Sequence, residues 1–395
     1  MERGLQGHYI QCSTSPEPFR AFIPSPLPPS PELILDANLC DWLERANRAL
    51  GRLDGIATLL PETSLFLYLY VRKEAVLSSQ IEGTQSSFSD LLLYETDEAP
   101  GVPLDDVQEV SRYVAALNHG LTRLREGFPL SLRLIREIHE VLLSQGRGSE
   151  KSPGAFRTSQ NWINGTRPGN AQYVPPPPDH VMDCLGSLET FIHDQPTRTP
   201  TLIKAALTHV QFEAIHPFLD GNGRLGRLLI TFLLCSEGAL SEPLLYLSLY
   251  FKTHRQQYYD RLQQVRLKGD WEQWLQFFLE GVVTTAEQAS STAKRILDLF
   301  EQDRRRIENI GRGAGSALQV HQLIRKKPIF SINHLSTQLE LSRPTVSAAI
   351  KSLNTLGIVE ELTGRQRDRV FVYRDYLNIL NEGTEPYVRS RRPIQ

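Results

Sequence analysis

Apolar residues recur at helical spacing through most of the chain. Across residues 32–96 the runs LCDWLERANRALGRL and TSLFLYLYVRKEAVLSSQIEGT set hydrophobic positions three and four apart, the period of a helix with one buried face. After a short break at 97–104 (DEAPGVPL) the pattern resumes in DDVQEVSRYVAALNHGLTRLREG and SLRLIREIHEVLLSQG. Its character changes over 146–179, where Gly, Pro, Asn and aromatic residues gather around an Asn-Gly pair; this stretch predicts a β-hairpin and surface loops. Helical periodicity returns in ALTHVQFEAI and RLGRLLITFLLCSEG, continues through WEQWLQFFLEGVVTTAEQ, and closes in the charged AKRILDLFEQDRRRIENI. Ahead of all this, residues 1–31 are polar and proline-rich and read as an extended arm over a folded body.

The glycine-rich GRGAG at 311–315 is the clearest domain boundary. Beyond it come a helix (SALQVHQLIRKK), a second (INHLSTQLE), a tight turn at Leu341 and Ser342, a third (RPTVSAAIKSLNTLG), and two strands around TGRQRD. That order resembles a winged helix-turn-helix with 343–356 as recognition helix and 364–368 as wing tip.

Composition narrows the function classes. The chain of 395 residues has room for two or three cores, and its net charge of −2 argues against a polyanion-binding protein as a whole. The segment 311–395 departs from that balance, with 13 Lys/Arg against 7 Asp/Glu. A basic face suits phosphate contact, while Arg343 and Lys351 are the only cations of the expected recognition helix, so 316–375 is open to docking on DNA or on a protein. No run of 18 apolar residues exists, which excludes a membrane-spanning helix. The first residues show no apolar signal region, and the four cysteines are scattered without a CxxC pair, so a cytoplasmic protein without a zinc or disulfide framework is expected.

The chemistry concentrates in HPFLDGNGRLGR, residues 216–227, which lies between two apolar helical segments. Gly221 and Gly223 let the backbone turn sharply and aim N–H groups inward, at the start of a helix whose N-terminus favours anions. Arg224 and Arg227, three residues apart, share a helix face and together suit two phosphate groups. Asp220 is the loop's one carboxylate and suits a Mg²⁺ that bridges phosphate oxygens. His216, just before the loop, is placed as a general base. Phe218 is expected to anchor the turn to the core.

This stretch resembles the active-site motif of Fic-domain proteins, HPFx(D/E)GNGRxxR, at every defined position. The resemblance implies transfer of AMP from ATP to a Tyr, Thr or Ser hydroxyl of a target protein, the chain itself included. It gives His216 the proton, Asp220 the Mg²⁺, and Gly221, Asn222 and Gly223 the anion hole. Arg224 and Arg227 would steady the β- and γ-phosphates, with Leu225 and Gly226 in the same nucleotide-binding turn. GAFRTSQNWINGTRPGNAQYVPPPP (154–178) resembles the family's flap, whose extended backbone pairs with a target segment, and Tyr258 and Tyr259 fall in a region similar to the one that stacks on the base.

A second short stretch, LSSQIEGT, carries Ser78, Glu82 and Gly83 at the spacing (S/T)xxxE(G/N). It resembles the inhibitory-helix motif of the same family, in which a glutamate takes an arginine's partner site from the γ-phosphate; here Glu82 would compete for Arg227. The resemblance implies a mainly α-helical fold in three parts: an arm and helical region with the inhibitory motif (1–110), a Fic-type core with a hairpin flap (111–310), and a winged-helix-like domain (311–395). It leaves a homodimer open. Two rival functions remain: a transcription regulator whose core only senses nucleotide, and an enzyme that removes AMP or transfers another nucleotidyl or phosphoryl group.

Overall fold

A computed structural model describes residues 2–12, 17–59, 63–95, 104–364 and 369–386. The fold is mainly helical, with 15 helices among the described residues. Its first element is an antiparallel hairpin, β1 (Gly7–Cys12) and β2 (Phe19–Pro24), where the sequence suggested only an extended arm. In FRAFIP the residues Phe19, Ala21 and Phe22 turn inward and Arg20 outward. Six residues between prolines carry too short an alternation to be read as a strand without knowing what covers it.

Helices follow in chain order: α1 (Ala37–Leu59), α2 (Thr63–Ile81), α3 (Phe88–Tyr94), α4 (Leu104–Arg125), α5 (Leu132–Leu142), α6 (Pro178–Ile192), α7 (Thr201–Ile215), α8 (Asn222–Ser236), α9 (Ser248–Thr253), α10 (Arg255–Lys268) and α11 (Trp271–Glu308). The C-terminal segment runs α12 (Ala314–Ile324), β3 (Ile329–Ser331), α13 (Ile332–Leu339), α14 (Arg343–Thr355), β4 (Val359–Glu361), β5 (Val370–Tyr373) and α15 (Arg374–Asn381). Its three strands form one antiparallel sheet with β5 in the middle, so β3 joins the two strands expected from the sequence. Residues 365–368 of the expected wing tip lie outside the described residues, as does the expected break at 97–104 apart from Leu104, where α4 begins.

Two helices set the centre. Thirteen of the fifteen residues of α7 are buried, and twelve of fifteen in α8. A helix buried on every side belongs inside a protein, and these two pack against each other, with α6, α10 and α11 against α7 and α2, α4 and α5 against α8. Polar residues in α7 find partners inside the fold: Lys204 meets Asp194 at 2.8 Å and Glu237 at 2.7 Å, with its own side chain fully buried. The loop that joins α7 to α8 is thereby held at the core's edge by rigid elements on both sides.

The boundary expected at 311–315 falls in the turn between α11 and α12, but packing continues across it. With 38 residues, α11 is about 57 Å long. Its far end meets the C-terminal segment: Phe300 packs edge-on against Tyr376, and the Tyr373 hydroxyl donates to Asp303 at 2.6 Å. The chain after α15 returns to α2 and α9, where Gln80 and Lys252 donate to the carbonyls of Thr384 and Gly383.

The flap region is mostly irregular. Its expected hairpin is reduced to a single antiparallel bridge, Ile163 with Tyr173, closed over a short 3₁₀ turn at Pro168–Asn170.

Candidate active site

Three short segments meet at one place: the end of α2, the α7–α8 loop, and the start of the flap. His216 ends α7 in the left-handed conformation (φ 49°), which a non-glycine residue adopts only when its surroundings impose it. Arg157 supplies much of that constraint. Its Nε donates to the His216 carbonyl at 2.9 Å, and its other nitrogens donate to the carbonyls of Pro176, Ile215 and Ser159. Asn161 adds bonds to the carbonyls of His216 (3.3 Å) and Phe218 (2.9 Å).

Below the loop, Phe218 is fully buried and stacks on the His139 ring at 3.7 Å between centroids. The Gly154 N–H donates to His139 Nδ1, so the ring carries its proton on Nε2 and donates to the Asp220 carbonyl at 3.0 Å. One imidazole thus ties the flap's first residue to the loop's acid.

Asn222 opens α8 and closes the loop on itself: its Oδ1 accepts from the Phe218 N–H and its Nδ2 donates to the Phe218 carbonyl. The preceding Gly221 has φ 77°, a conformation that favours glycine, and no side chain caps the helix. The first-turn N–H groups therefore keep the free donors and partial positive charge that draw an anion.

Arg224 and Arg227 are both buried, each against a carboxylate. Arg224 lies 3.1 Å from Glu109 of α4 and 3.4 Å from Asp220. Arg227 reaches across to the end of α2. It donates from Nε to Ser78 Oγ (2.8 Å), and from Nη2 to the Ser78 carbonyl (3.0 Å) and to Glu82 Oε1 (2.7 Å). The helix itself stops at Ile81, and Glu82 sits in the closing turn beside Gly83, whose φ is 106°. The carboxylate lies directly on Gly223, where a Cβ would meet Glu82 Oε1 at 2.2 Å.

Electrostatics follow the geometry. Burial works to raise the Glu82 carboxyl, but the Arg227 guanidinium outweighs it and leaves the group below the usual carboxylate range. The pair is therefore fully formed at neutral pH and is lost only as pH falls through that depressed value. Burial, helped by the Arg157 cation, holds His216 down to about 4 against the opposing pull of Glu82. The ring is neutral at physiological pH, the state a proton acceptor needs.

The structure separates Tyr258 from Tyr259. Tyr258 is 1% exposed, stacked on Phe251 and bonded through its hydroxyl to His209 Nε2 at 2.8 Å, so it offers no face to a base. Tyr259, 38% exposed, lines a cavity of about 420 Å³ with Glu82, Glu213, Arg255 and Arg266. Leu225 belongs to the core, and Gly226 lies in the α7–α8 contact, its carbonyl accepting from His209 Nδ1. Neither points a group at the loop's open side, unlike the expectation from the motif.

Sequence reading missed Arg157, Asn161, His139, Glu109 and Glu213. The first two act on main-chain carbonyls, His139 and Glu109 come from elements that only packing brings near, and Glu213, one turn before His216 on α7, lies outside the motif. Arg157→Lys keeps the charge but replaces a fork reaching several carbonyls by one ammonium. It should lower stability by ~1.5–3 kcal/mol, read as a drop in the urea midpoint at unchanged slope.

The comparisons with known proteins agree with this site. Residues 129–234 match the Fic/DOC family and residues 40–122 the Fic/DOC family N-terminal region, so the chain carries Fic/DOC family domains. It is 31% identical over 204 residues to protein adenylyltransferase Fic of Aedes aegypti, covering 51% of this chain and 38% of that one. It is 30% identical over 188 residues to a probable protein adenylyltransferase of Aquifex aeolicus (strain VF5), covering 48% and 54%. The chain thus spans about half or less of the length of these curated relatives. A crystal structure of a Fic family protein from Desulfovibrio desulfuricans G20 shares the fold, with a TM-score of 0.58 at 20% identity over 86% of this chain and 97% of that one.

Proposed function

We propose that this Fic-domain chain is a protein adenylyltransferase held back by its own Glu82. One observation carries the reading: a carboxylate, seated on an uncapped helix N-terminus, occupies the buried arginine that a phosphate group would otherwise take. An anion of this chain stands where the anion of a substrate belongs.

In the reaction the target hydroxyl loses its proton to the neutral His216, and its oxygen attacks the α-phosphorus of ATP. The bond from that phosphorus to the bridging oxygen breaks, and pyrophosphate leaves. The N–H groups of Asn222 and Gly223 would meet the developing charge on the α-phosphate, in a turn that Asn222 and His139 already hold rigid. Arg227 would steady the γ-phosphate once Glu82 withdraws. Arg224, turned toward Glu109 and Asp220, supports the phosphates from the loop's other side. Tyr259, beside the Arg255 guanidinium, is the aromatic face open to a base. The flap, pinned at Arg157 and Asn161, would hold a target segment, with Trp162 exposed on it.

Mg²⁺ fits this arrangement through Asp220. Among the described residues no three His, Cys, Asp or Glu side chains gather to hold an ion. The Asp220 carboxylate, 26% exposed and braced by the Gly221 N–H, supplies one protein ligand, which suits an ion otherwise held by phosphate oxygens and water. Bound there, the ion would neutralise phosphate charge. Asp220→Ala should abolish the Mg²⁺ dependence of nucleotide binding in a calorimetric titration; an unchanged response would assign the ion to another group.

The test of the main reading sets α-labelled against γ-labelled ATP with the Glu82→Gly chain in a lysate. Protein label from the α position alone supports AMP transfer. Label from γ alone makes the chain a phosphoryl transferase. Absence of both, with nucleotide-dependent retention of DNA by the C-terminal segment, makes it a nucleotide-sensing regulator.

A further inference from the structure

Glu213 has no part in the motif, yet it stands one helical turn before His216 on α7 and faces it. Its Oε2 lies 4.0 Å from His216 Nδ1. His216 Nδ1 is buried without a hydrogen-bond partner, a costly state for a polar group, and the Glu213 carboxylate is the acceptor that faces it; the second carboxylate oxygen, Oε1, is buried and unpartnered on the side of Gly226.

The local backbone adds to this. Pro217 has no N–H, so the Glu213 carbonyl lacks the donor that a continuing helix would bring to it. That carbonyl is one of the groups that favour the protonated form of the His216 ring. Carbonyl and carboxylate only accept, so the nitrogen facing them carries the proton, and the Nε2 lone pair is left for an incoming hydroxyl. Gly226 makes the seat: a Cβ there would meet Glu213 Oε1 at 2.7 Å. A side chain there would displace the Glu213 carboxylate from its present place, at a position the motif leaves undefined.

We propose that Glu213 is a positioning residue that orients the His216 ring and balances the charge the ring takes up, so that the base works as a His216–Glu213 pair. The inference rests on the reading of His216 as the proton acceptor. The groups around the pair are Arg227 from α8, Glu82 from the turn after α2, Arg266, Tyr258 and Tyr259 from α10, and Arg157 from the flap. Three of these are cations, so an imidazolium formed here needs a nearby anion. Glu82 serves while the brake is in place. Once it withdraws, Glu213 is the carboxylate that remains.

The two carboxyls also oppose each other. Burial, with Glu82 adding to it against the pull of Arg227, pushes the Glu213 carboxyl up to about 7. Withdrawal of Glu82 removes a like charge and favours ionised Glu213, so release of the brake also readies the base's partner.

The experiment uses the full chain with Glu213→Gln, which keeps shape and removes charge, and Glu213→Asp, which keeps charge. Ring ¹⁵N shifts of His216 at pH about 8, where Glu213 is ionised and the ring neutral, report the fraction of rings protonated at Nδ1. That protonated fraction, taken relative to rings protonated at Nε2, should fall about tenfold in Glu213→Gln and stay within about twofold in Glu213→Asp, since a hydrogen bond to a carboxylate is about twice as strong as one to an amide. In a Glu82→Gly background, Glu213→Gln should lower kcat for α-label transfer by roughly 10-fold or more with KM for ATP unchanged, because the carboxylate acts on the base and not on the triphosphate. An unchanged protonated fraction in Glu213→Gln overturns the pairing, whatever the activity. A tenfold fall in that fraction in a chain that transfers no label supports the pairing and places the failure in the reading of the reaction.

Discussion

His216→Ala, made in the Glu82→Gly background so that turnover is measurable, should lose AMP transfer by ~10²–10⁴-fold and keep its affinity for ATP. The two outcomes separate because the ring and the phosphate site are built from different elements. The ring hangs from the end of α7, where Arg157 and Asn161 hold its carbonyl. The proposed donors for phosphate are the first N–H groups of α8 and the Arg227 guanidinium, which Ser78 holds in place from α2. Histidine already carries the Cβ strain of the left-handed conformation and alanine keeps it, so thermal unfolding accompanies the assay only to register the lost ring packing. Incorporation of α-labelled ATP reads the chemistry, and titration calorimetry reads the binding. Transfer kept within about threefold of the parent would take His216 out of the reaction.

The contrast between what the sequence disclosed at this site and what it hid has a physical basis. The loop was legible because its residues act through what they are: a histidine before a proline, glycines where the backbone must turn, arginines at a helix start. The approach of Glu82 to Arg227 spans 145 residues and no local pattern encodes it; it was reached only through the resemblance of the short LSSQIEGT stretch. Tyr258 and Tyr259 are neighbours on α10, about 100° apart around the helix, so one must face inward when the other faces the cavity. Which one does so is decided by Phe251 and Trp274 on other helices. Arg157 was hidden for a different reason. Its partners are carbonyl groups, which every residue has, so nothing in the letters marks them. The same holds for the GRGAG boundary, visible as a break in composition although Phe300 and Asp303 carry packing across it.

Glu82→Gly should raise AMP transfer, the opposite sign to nearly every other change near this site. The carboxylate holds Arg227 through a charge-assisted hydrogen bond of 2.7 Å, and on the proposed function it does so in competition with the γ-phosphate. Such a bond is worth ~1.5–3 kcal/mol, and the lower half of that range applies because the Glu82 side chain is 30% exposed to screening water. Its removal should therefore increase the population of the productive ATP pose by roughly 10- to 45-fold. The arginine does not collapse when its partner goes, since its Nε and Nη2 still donate to Ser78, and the Nη2 N–H that Glu82 had taken becomes free for a phosphate oxygen. The turn itself tolerates the change: Glu82 bonds to Ser79 through its main-chain N–H, which glycine retains. Auto-modification with α-labelled ATP measures the gain. Glu82→Gln, which keeps the size but not the charge, should give part of it. Adding Arg227→Ala to Glu82→Gly should erase it, because both residues act on one phosphate group. If the Glu82→Gly chain labels no faster than its parent, the contact between α2 and α8 is a structural ion pair, and the slow step lies elsewhere.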